Sequence, residues 1–476
     1  KRIMKKMLLR ALSALTVVSL AAVGSGCGKK VQEVTSEIVT TVSGSGGTYV
    51  SGTAGTDGID NINSGAPSGV STTGGFDFGG AAVTISKWDK GAEPLASSPT
   101  YKKELELISS LEKKYNCKIK FKGTGEDSLV YMKNISSTAA GKSAYADIMI
   151  MPSDTAYPSM GLKGYLAELD GIIDLSSSQW NKEASAIMVQ NGKHYLAAPY
   201  SNIGSLAGGG VFFNKKLFKA AGVKTPEEYV AANNWNWNTF KEVAQKLTDA
   251  SKGQYGVASV SKNYAVTFLL TSNATRSVLN NGSKHTFNLD SPAAIAAISL
   301  AGEMKNNGWI TNESNVFQNG QAAMTLANWY AGEGYLNALG SDNVGFTFLP
   351  LGSNAKDYSE VYVGTGLDVV GISAFTKLDK KGLGSLLMDY TARYNWRATA
   401  AQSLEKHFGD SASLDRALKT AEYAYAKLDL QTYYLGFTDT YLWTDFGIDS
   451  KTSAQAYVAS IKANCQSIID GVWAGN

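Results

Sequence analysis

The feature that most constrains the fold of this sequence is an alternation of strand and helix patterns that starts at residue 81. AAVTISKW has alternating β-branched residues and predicts a strand, and CKIKFKG and ADIMIM predict two more. Helical patterns lie between them, and the first places Leu105, Ile108 and Leu111 on one face. Strands that alternate with helices form a parallel sheet covered by helices, so the chain is predicted to be an α/β protein.

The same alternation continues through the middle of the chain. GGGVFFN predicts a strand, and KKLFKAAG predicts a helix that ends at Gly222. SPAAIAAISLAGEMKNNG predicts a helix opened by Ser291 and Pro292, which are preferred cap and first-turn residues. The 476 residues are enough for two or three domains with cores of their own.

One predicted strand ends in an unusual group of residues. In FQNGQAAMTLANWY, residues 322–326 form a small-residue strand that is followed by Asn328, Trp329 and Tyr330. Such a group is either a packed corner of the core or a surface for a ligand. Ligands of open α/β sheets gather at the carboxyl ends of strands, which favours the second interpretation.

Residues 1–26 have the pattern of an export signal. KRIMKKMLLR carries five basic residues and no acidic one, ALSALTVVSLAAV is apolar or small throughout, and GSGC supplies small residues for cleavage. The apolar run is shorter than a typical membrane span, so a single anchor helix is the less favoured alternative. The sequence therefore predicts an exported protein.

Residues 27–80 are predicted to be a flexible linker. They are rich in Gly, Ser, Thr and Asp and have too few large apolar side chains to form a core. The full chain has a formal charge of +3, and removal of the five basic residues in the first 26 leaves about −2. A slightly acidic mature protein lacks the basic surface that nucleic acid requires.

The sequence contains none of the short motifs of common enzyme classes. G-x-S-x-G, H-E-x-x-H and the P-loop are all missing, as is any Cys/His metal spacing. The adjacent Tyr433 and Tyr434 leave a ferric-iron site as an alternative, but His194, His285 and His407 are scattered. We therefore predict a protein with no catalytic residues, cofactor or metal.

The order and spacing of several blocks resemble a known family between residue 83 and the C-terminus. The blocks are YADIMIMPSDTAYPSMGLKGYLAELD, NGKHYLAAPYSNIGSLAGGGVFFNKKLFKAAGVKTPE, NWNWNTFKEVAQKLT, FQNGQAAMTLANWY, FTFLPLGS and YVGTGLDVVGIS. They resemble the extracellular solute-binding proteins of ABC importers, the group that includes maltose-binding protein. GSGC resembles the lipobox of bacterial lipoproteins, although Gly24 stands where that family usually has Leu. That resemblance implies lipidation of Cys27.

This resemblance implies a two-lobe periplasmic-binding-protein fold of type II, with discontinuous α/β lobes joined by hinge strands. The first lobe would contain residues 81–200 plus 364–410, and the second residues 201–363 plus 411–476. The crossings would lie near residues 199–202, 363–366 and 405–420. Cys117 and Cys465 then fall in different lobes, and we predict two buried unpaired thiols rather than a disulfide that locks the lobes.

The resemblance also implies which residues bind the ligand. An indole covers the C–H face of a sugar ring, and carboxylates and amides orient its hydroxyls. The alternatives are core packing for Trp329, solvated turns for the loop carboxylates and packing at the hinge. The predicted binding residues are Trp88, Asp89, Asp154, Tyr200, Asn202, Tyr264, Trp329, Asp368 and Trp443. In contrast, Trp235 and Trp237 of WNWNTF are expected to open a helix and pack structurally.

The resemblance implies that the protein is the substrate-binding lipoprotein of an ABC transporter. It would be a monomer anchored by lipid on the extracellular face of the cytoplasmic membrane. There it would capture a carbohydrate, an oligosaccharide in particular, in the cleft and deliver it to permease subunits. The alternatives are a same-fold binder of a peptide or polyamine, and a sugar sensor or adhesion protein without transport. A glycosidase that uses Asp89 and Asp154 is the enzyme alternative.

Overall fold

The structure is a computed structural model that describes most of the chain after residue 74. It covers residues 75–88, 93–94, 96, 101–123, 127–199, 208–259, 262–280, 284–313, 315–360, 367–392, 401, 404–425 and 452–473. Strands and helices alternate along these residues, as the sequence predicts. None of the helices in these ranges is long and apolar enough to cross a membrane.

Eleven strands are seen in the described ranges. They are β1 (Ala82–Lys87), β2 (Lys118–Gly123), β3 (Ile148–Pro152), β4 (Gly209–Asn214), β5 (Tyr255–Ser259), β6 (Val278–Asn280), β7 (His285–Phe287), β8 (Ile310–Thr311), β9 (Ala322–Asn328), β10 (Val344–Thr347) and β11 (Asp368–Ile372). They form one four-stranded sheet, one five-stranded sheet and one two-stranded sheet.

The helices connect and cover these strands. They are α1 (Tyr101–Lys114), α2 (Ser128–Ala140), α3 (Ser153–Ala156), α4 (Ser159–Leu162), α5 (Lys182–Ile187), α6 (Lys215–Ala221), α7 (Pro226–Ala231), α8 (Trp237–Lys246), α9 (Lys262–Ser272), α10 (Pro292–Asn306), α11 (Gly332–Leu339), α12 (Lys380–Thr391), α13 (Ser411–Tyr425) and α14 (Ala454–Trp473). Short 3-10 turns cover Ala250–Lys252, Trp329–Ala331, Ser341–Asn343, Tyr358–Glu360 and Glu405–His407.

The first sheet has the strand order β11-β3-β1-β2. Its strands β1, β2 and β3 are parallel, which confirms the predicted parallel sheet. Strand β11 comes from a distant part of the chain and runs antiparallel to β3, with Asp368 opposite Pro152. As a result, the start of β11 lies at the same edge as the end of β3.

The second sheet has the strand order β10-β4-β9-β5-β8. Strand β9 is parallel to β5 and antiparallel to β4, so β4 is the reversed strand of this sheet. Each sheet has its own buried cluster, and a further cluster contains residues of both, including Met151 on β3 and Phe346 on β10. An apolar cluster therefore joins the two sheets.

Several local predictions are confirmed by the contacts that end or begin helices. The Ser291 side chain accepts a hydrogen bond from the amide of Ala294, and Pro292 opens α10. Gly222 ends α6 with a φ of 64°, in the left-handed region that favours glycine. Trp235 is 1% exposed and donates from its indole nitrogen to the Phe348 carbonyl at 2.9 Å. The structural interpretation of WNWNTF is therefore correct.

The two described cysteines are buried and unpaired, as predicted. Cys117 belongs to the cluster of the first sheet and Cys465 to that of the second. Burial raises the pKa of both thiols, that of Cys465 to about 11. Both thiols therefore remain protonated at neutral pH.

The described fold begins a few residues before residue 81. The amide of Phe78 donates to the Tyr115 carbonyl at 2.9 Å, and Phe76 and Phe78 pack against the cluster of the first sheet. These two aromatic side chains are large apolar groups, which are few in the rest of the linker sequence. The C-terminal residues of the predicted linker therefore belong to the first sheet's unit.

Around the expected third crossing at residues 405–420, the described helices pack on different sheets. Helix α12 packs on α1 and β11 of the first sheet, whereas α13 packs on β10 and β4 of the second. Helix α13 buries Ala417, Leu418 and Ala421. The exact position of the third crossing stays a prediction.

Candidate functional site

Polar side chains converge at one edge of the first sheet. Strand β1 ends at Lys87 and is followed by Trp88, and β3 ends at Pro152, just before Asp154. Because β11 is antiparallel, it begins at this edge with Asp368. The carboxyl edge of an open α/β sheet is where ligands bind, so this is the candidate site.

Asp368 is the centre of this group. It is 4% exposed, and its Oδ1 accepts a hydrogen bond from the indole nitrogen of Trp88 at 3.2 Å. The ammonium group of Lys87 lies 3.3 Å from Oδ2. A carboxylate so deeply buried needs such a cation and donor to remain charged. The three side chains therefore form a fixed polar unit at the end of β1.

Asp154 has acceptor capacity that this unit does not use. It lies in the first turn of the short helix α3, and its Oδ1 is buried without a hydrogen-bond partner in the described part of the chain. Burial raises its pKa to about 6, and the charge of Asp368 adds to the increase, while amide donors of Thr155 and Asp154 oppose it. A buried carboxylate oxygen without a partner is suited to accept a donor from a ligand.

The second sheet contributes an aromatic ring to the same place. Tyr330 follows β9, and its side chain is 47% exposed, although it is a large aromatic group. Partial burial raises the pKa of Tyr330, the charge of Asp368 raises it further, and Lys87 lowers it. These effects put the phenol within electrostatic reach of the Lys87–Asp368 pair on the first sheet.

Trp329, which was predicted as a ligand surface, is fully buried in the structure. The indole is 0% exposed, and a Cβ on Gly208 would overlap its ring. The Trp329 amide also donates to the Gly208 carbonyl at 2.9 Å. The indole thus packs as a corner between the ends of β9 and β4, and the neighbouring Tyr330 is the ring that faces out.

The remaining predicted residues are placed unequally. Trp88 and Asp368 meet directly, and Asp154 lies within electrostatic reach of Asp368. Tyr264 lies in α9, where the structure places only its backbone. The positions Cys27, Asp89, Tyr200, Asn202, Tyr433, Tyr434 and Trp443 lie outside the described residues. Within the described ranges, no group of three or more His, Cys, Asp or Glu side chains is arranged to hold a metal ion.

Lys87 and Tyr330 were not among the binding residues predicted from the sequence. Lys87 stands beside the predicted Trp88, but its partner Asp368 is brought to it only by the sheet order β11-β3-β1. Tyr330 is the second of two adjacent aromatic residues, and such neighbours commonly point to different sides of the chain. The more apolar indole was the better candidate for the interior, which is the signal that could have identified Tyr330.

Comparison with known proteins identifies a family and a fold. Residues 91–383 match the family described as "Bacterial extracellular solute-binding protein". Over 161 residues the chain is 28% identical to the putative ABC transporter periplasmic-binding protein YcjN of Escherichia coli K12, a match that covers 32% of this chain and about a third, 34%, of that relative.

Two solved structures have the same fold over most of the chain. The cyclic α-maltosyl-1,6-maltose binding protein of Arthrobacter globiformis matches with a TM-score of 0.60 and 14% identity, covering 83% of this chain and 100% of that one. The extracellular solute-binding protein of Staphylococcus aureus in complex with maltose matches with a TM-score of 0.57 and 19% identity, covering 82% and 98%.

Proposed function

Because the chain belongs to the bacterial extracellular solute-binding protein family and has the type II periplasmic-binding-protein fold, we propose that it captures a carbohydrate for an ABC transporter. The carbohydrate, an oligosaccharide in particular, binds in the cleft between two lobes and is delivered to a membrane permease. The single observation that carries this proposal is that Asp154 and Tyr330, which follow strands of different sheets, both lie within electrostatic reach of the Lys87–Asp368 pair.

These side chains match the two kinds of surface that a sugar presents. The hydroxyls of a sugar donate to carboxylate oxygens, and Asp154 has an oxygen available for this. The C–H face of a sugar ring packs on an aromatic ring, and Tyr330 presents such a ring. By analogy with aromatic pairs, each contact of this kind contributes about 0.5–1.5 kcal/mol beyond burial of area. A few such contacts reach the roughly −8 kcal/mol of micromolar binding.

The charge of the site disfavours the polyamine alternative. A polyamine carries several positive charges and needs several uncompensated carboxylates. Here Lys87 already neutralises Asp368, and burial disfavours the charged form of Asp154. A neutral polyhydroxy ligand needs no further charge compensation, so it fits this site better.

Further predicted residues and the lipid anchor also belong to the proposed function. Asp89, Tyr200, Asn202, Tyr264 and Trp443 complete the binding surface. Lipidation of Cys27 and the linker hold a monomeric protein on the outer face of the cytoplasmic membrane. The ligand leaves unchanged, because the family and the fold are those of binding proteins rather than enzymes.

A binding panel tests this function. Calorimetry with maltose, maltotetraose and the cyclic maltosyl-maltose should give binding to at least one sugar, whereas spermidine and tetra-alanine should not bind. Binding of spermidine or the peptide with no sugar binding would overturn the proposal. Release of reducing ends from maltotetraose at catalytic rates would instead favour a glycosidase.

A further inference from the structure

The ring of Tyr330 packs against a buried histidine. The rings of Tyr330 and His407 meet edge to face, with centroids 5.5 Å apart and planes at 87°. His407 is 3% exposed, whereas Tyr330 is 47% exposed. The histidine therefore contacts the protein-facing side of the aromatic ring that the proposed site presents.

The backbone around His407 fixes the same region. A Cβ on Gly332 would overlap the carbonyl oxygen of His407, so only glycine allows this close approach. The neighbours of these two residues form an ion pair, with the Lys406 ammonium 3.0 Å from the Glu333 carboxylate. The turn Glu405–His407 thus packs on both the turn that contains Tyr330 and the start of α11.

A histidine at position 407 costs stability if its role is only to fill space. Its Nδ1 is buried and has no hydrogen-bond partner in the described part of the chain. A phenylalanine would fill a similar volume without leaving a polar atom unsatisfied. Burial also lowers the pKa of His407, with Lys406 lowering it further and Glu333 opposing, so the ring is neutral at neutral pH.

We propose that His407 is a positioning residue of the binding site, whose ring holds Tyr330 in the orientation that faces the Lys87–Asp368 pair. This inference rests on the proposed function, because it assigns a ligand contact to Tyr330. It places part of the recognition in the turn Glu405–His407, which packs on the turn that contains Tyr330. The shape of the aromatic surface is thereby coupled to the arrangement of that turn.

The first experiment needs no ligand. 3-Fluorotyrosine is introduced at position 330 and its fluorine resonance is compared in the full chain and in His407→Ala and His407→Phe. We expect His407→Ala to move the resonance towards that of an unstructured tyrosine and His407→Phe to keep it near its original position. An unchanged resonance in His407→Ala would overturn the inference, whether or not any sugar binds.

The second experiment measures dissociation constants for the panel sugar that binds. His407→Ala should weaken binding about 3- to 10-fold, the range expected from one edge-to-face pair, and His407→Phe should restore most of it. In a Tyr330→Ala background, His407→Ala should have no further effect. An equal loss in both backgrounds would show that His407 does not act through Tyr330.

A matched control is available in the same protein. His285 is also buried, with an unpartnered Nε2 in the described ranges, but it stacks on Trp473 at 4.0 Å instead of on Tyr330. His285→Phe should leave both the fluorine resonance and sugar binding unchanged. If no panel sugar binds the unmodified protein, the proposed function fails, and the fluorine experiment alone decides the positioning role.

Discussion

The facing ends of the two sheets carry opposite chemistry. The first sheet ends in charged groups, with Asp368 paired to Lys87 and Asp154 beside it. The second sheet ends in two adjacent aromatic residues, of which Trp329 is buried and Tyr330 is exposed. A sugar gains hydroxyl acceptors and an aromatic face together only when it touches both sheets. That is the condition under which a ligand favours a closed arrangement of two lobes.

The largest expected effect separates the two aromatic residues of the second sheet. Trp329→Ala removes an indole that is 0% exposed and leaves a cavity between the ends of β9 and β4. We expect the free energy of unfolding to fall by about 3–5 kcal/mol, measured by urea denaturation. A loss below about 1 kcal/mol would contradict the packing of this corner.

The second prediction concerns the charged end of the first sheet. Asp368→Ala leaves the ammonium of Lys87 and the indole N–H of Trp88 without their buried acceptor. We expect the free energy of unfolding to fall by about 3 kcal/mol. This loss is slightly smaller than for a fully buried pair, because the Lys87 side chain is 22% exposed. Urea denaturation at pH 7 measures this change, and sugar binding should be lost with it.

An exposed ion pair provides the control for Asp368. The Lys462 ammonium lies 2.6 Å from Asp290, and both side chains are largely solvated, at 52% and 36% exposure. Asp290→Ala should change the free energy of unfolding by at most about 1 kcal/mol. Equal losses for the two variants would mean that burial does not distinguish the pairs.

The sequence was sufficient for the fold because the relevant signals are local. Alternating β-branched residues predict β1, and the cap formed by Ser291 and Pro292 predicts the start of α10. The family blocks then predict how such elements are connected. The position of the third crossing between the sheets stays a prediction.

The site was only partly predictable because it depends on contacts distant in sequence. The resemblance pointed to Trp88, Asp154 and Asp368, which lie near one another at the edge of the first sheet. The pairing of Lys87 with Asp368 requires the antiparallel addition of β11, which no local pattern indicates. The choice between Trp329 and Tyr330 depends on Gly208, which closes over the indole from another strand.

The third prediction concerns pH and Asp154. Burial is the main cause that raises its pKa from the ordinary value of 3.8 to about 6 in the folded protein. The folded state therefore binds the proton more tightly, so stability falls as the pH rises from about 4 to about 6 and stays lower above that. Allowing for partial solvent contact, Asp154→Asn should stabilise the protein by about 1–2 kcal/mol at pH 8. This gain should vanish below about pH 4, as urea denaturation at several pH values would show.

Asp170 is the opposite case and serves as the control for Asp154. Burial would raise its pKa, but hydrogen bonds from the amide and the ring of His194 outweigh this and hold the pKa below its usual value. Its ionised form therefore stabilises the folded state, and Asp170→Asn should lower stability at pH 8. The same sign for both variants would contradict the proposed origin of the shift at Asp154.

The smallest expected effect isolates recognition from folding on the aromatic side. Tyr330 is half exposed, so Tyr330→Ala removes little buried area and should change the free energy of unfolding by less than about 1 kcal/mol. Sugar binding should nevertheless weaken about tenfold, equivalent to about 1.4 kcal/mol, because the ring face is lost. Tyr330→Phe should retain most of the affinity, since it keeps that face and removes only the hydroxyl. Calorimetry on the three proteins measures these constants. Unchanged affinity in Tyr330→Ala would leave the charged edge of the first sheet as the sole source of recognition.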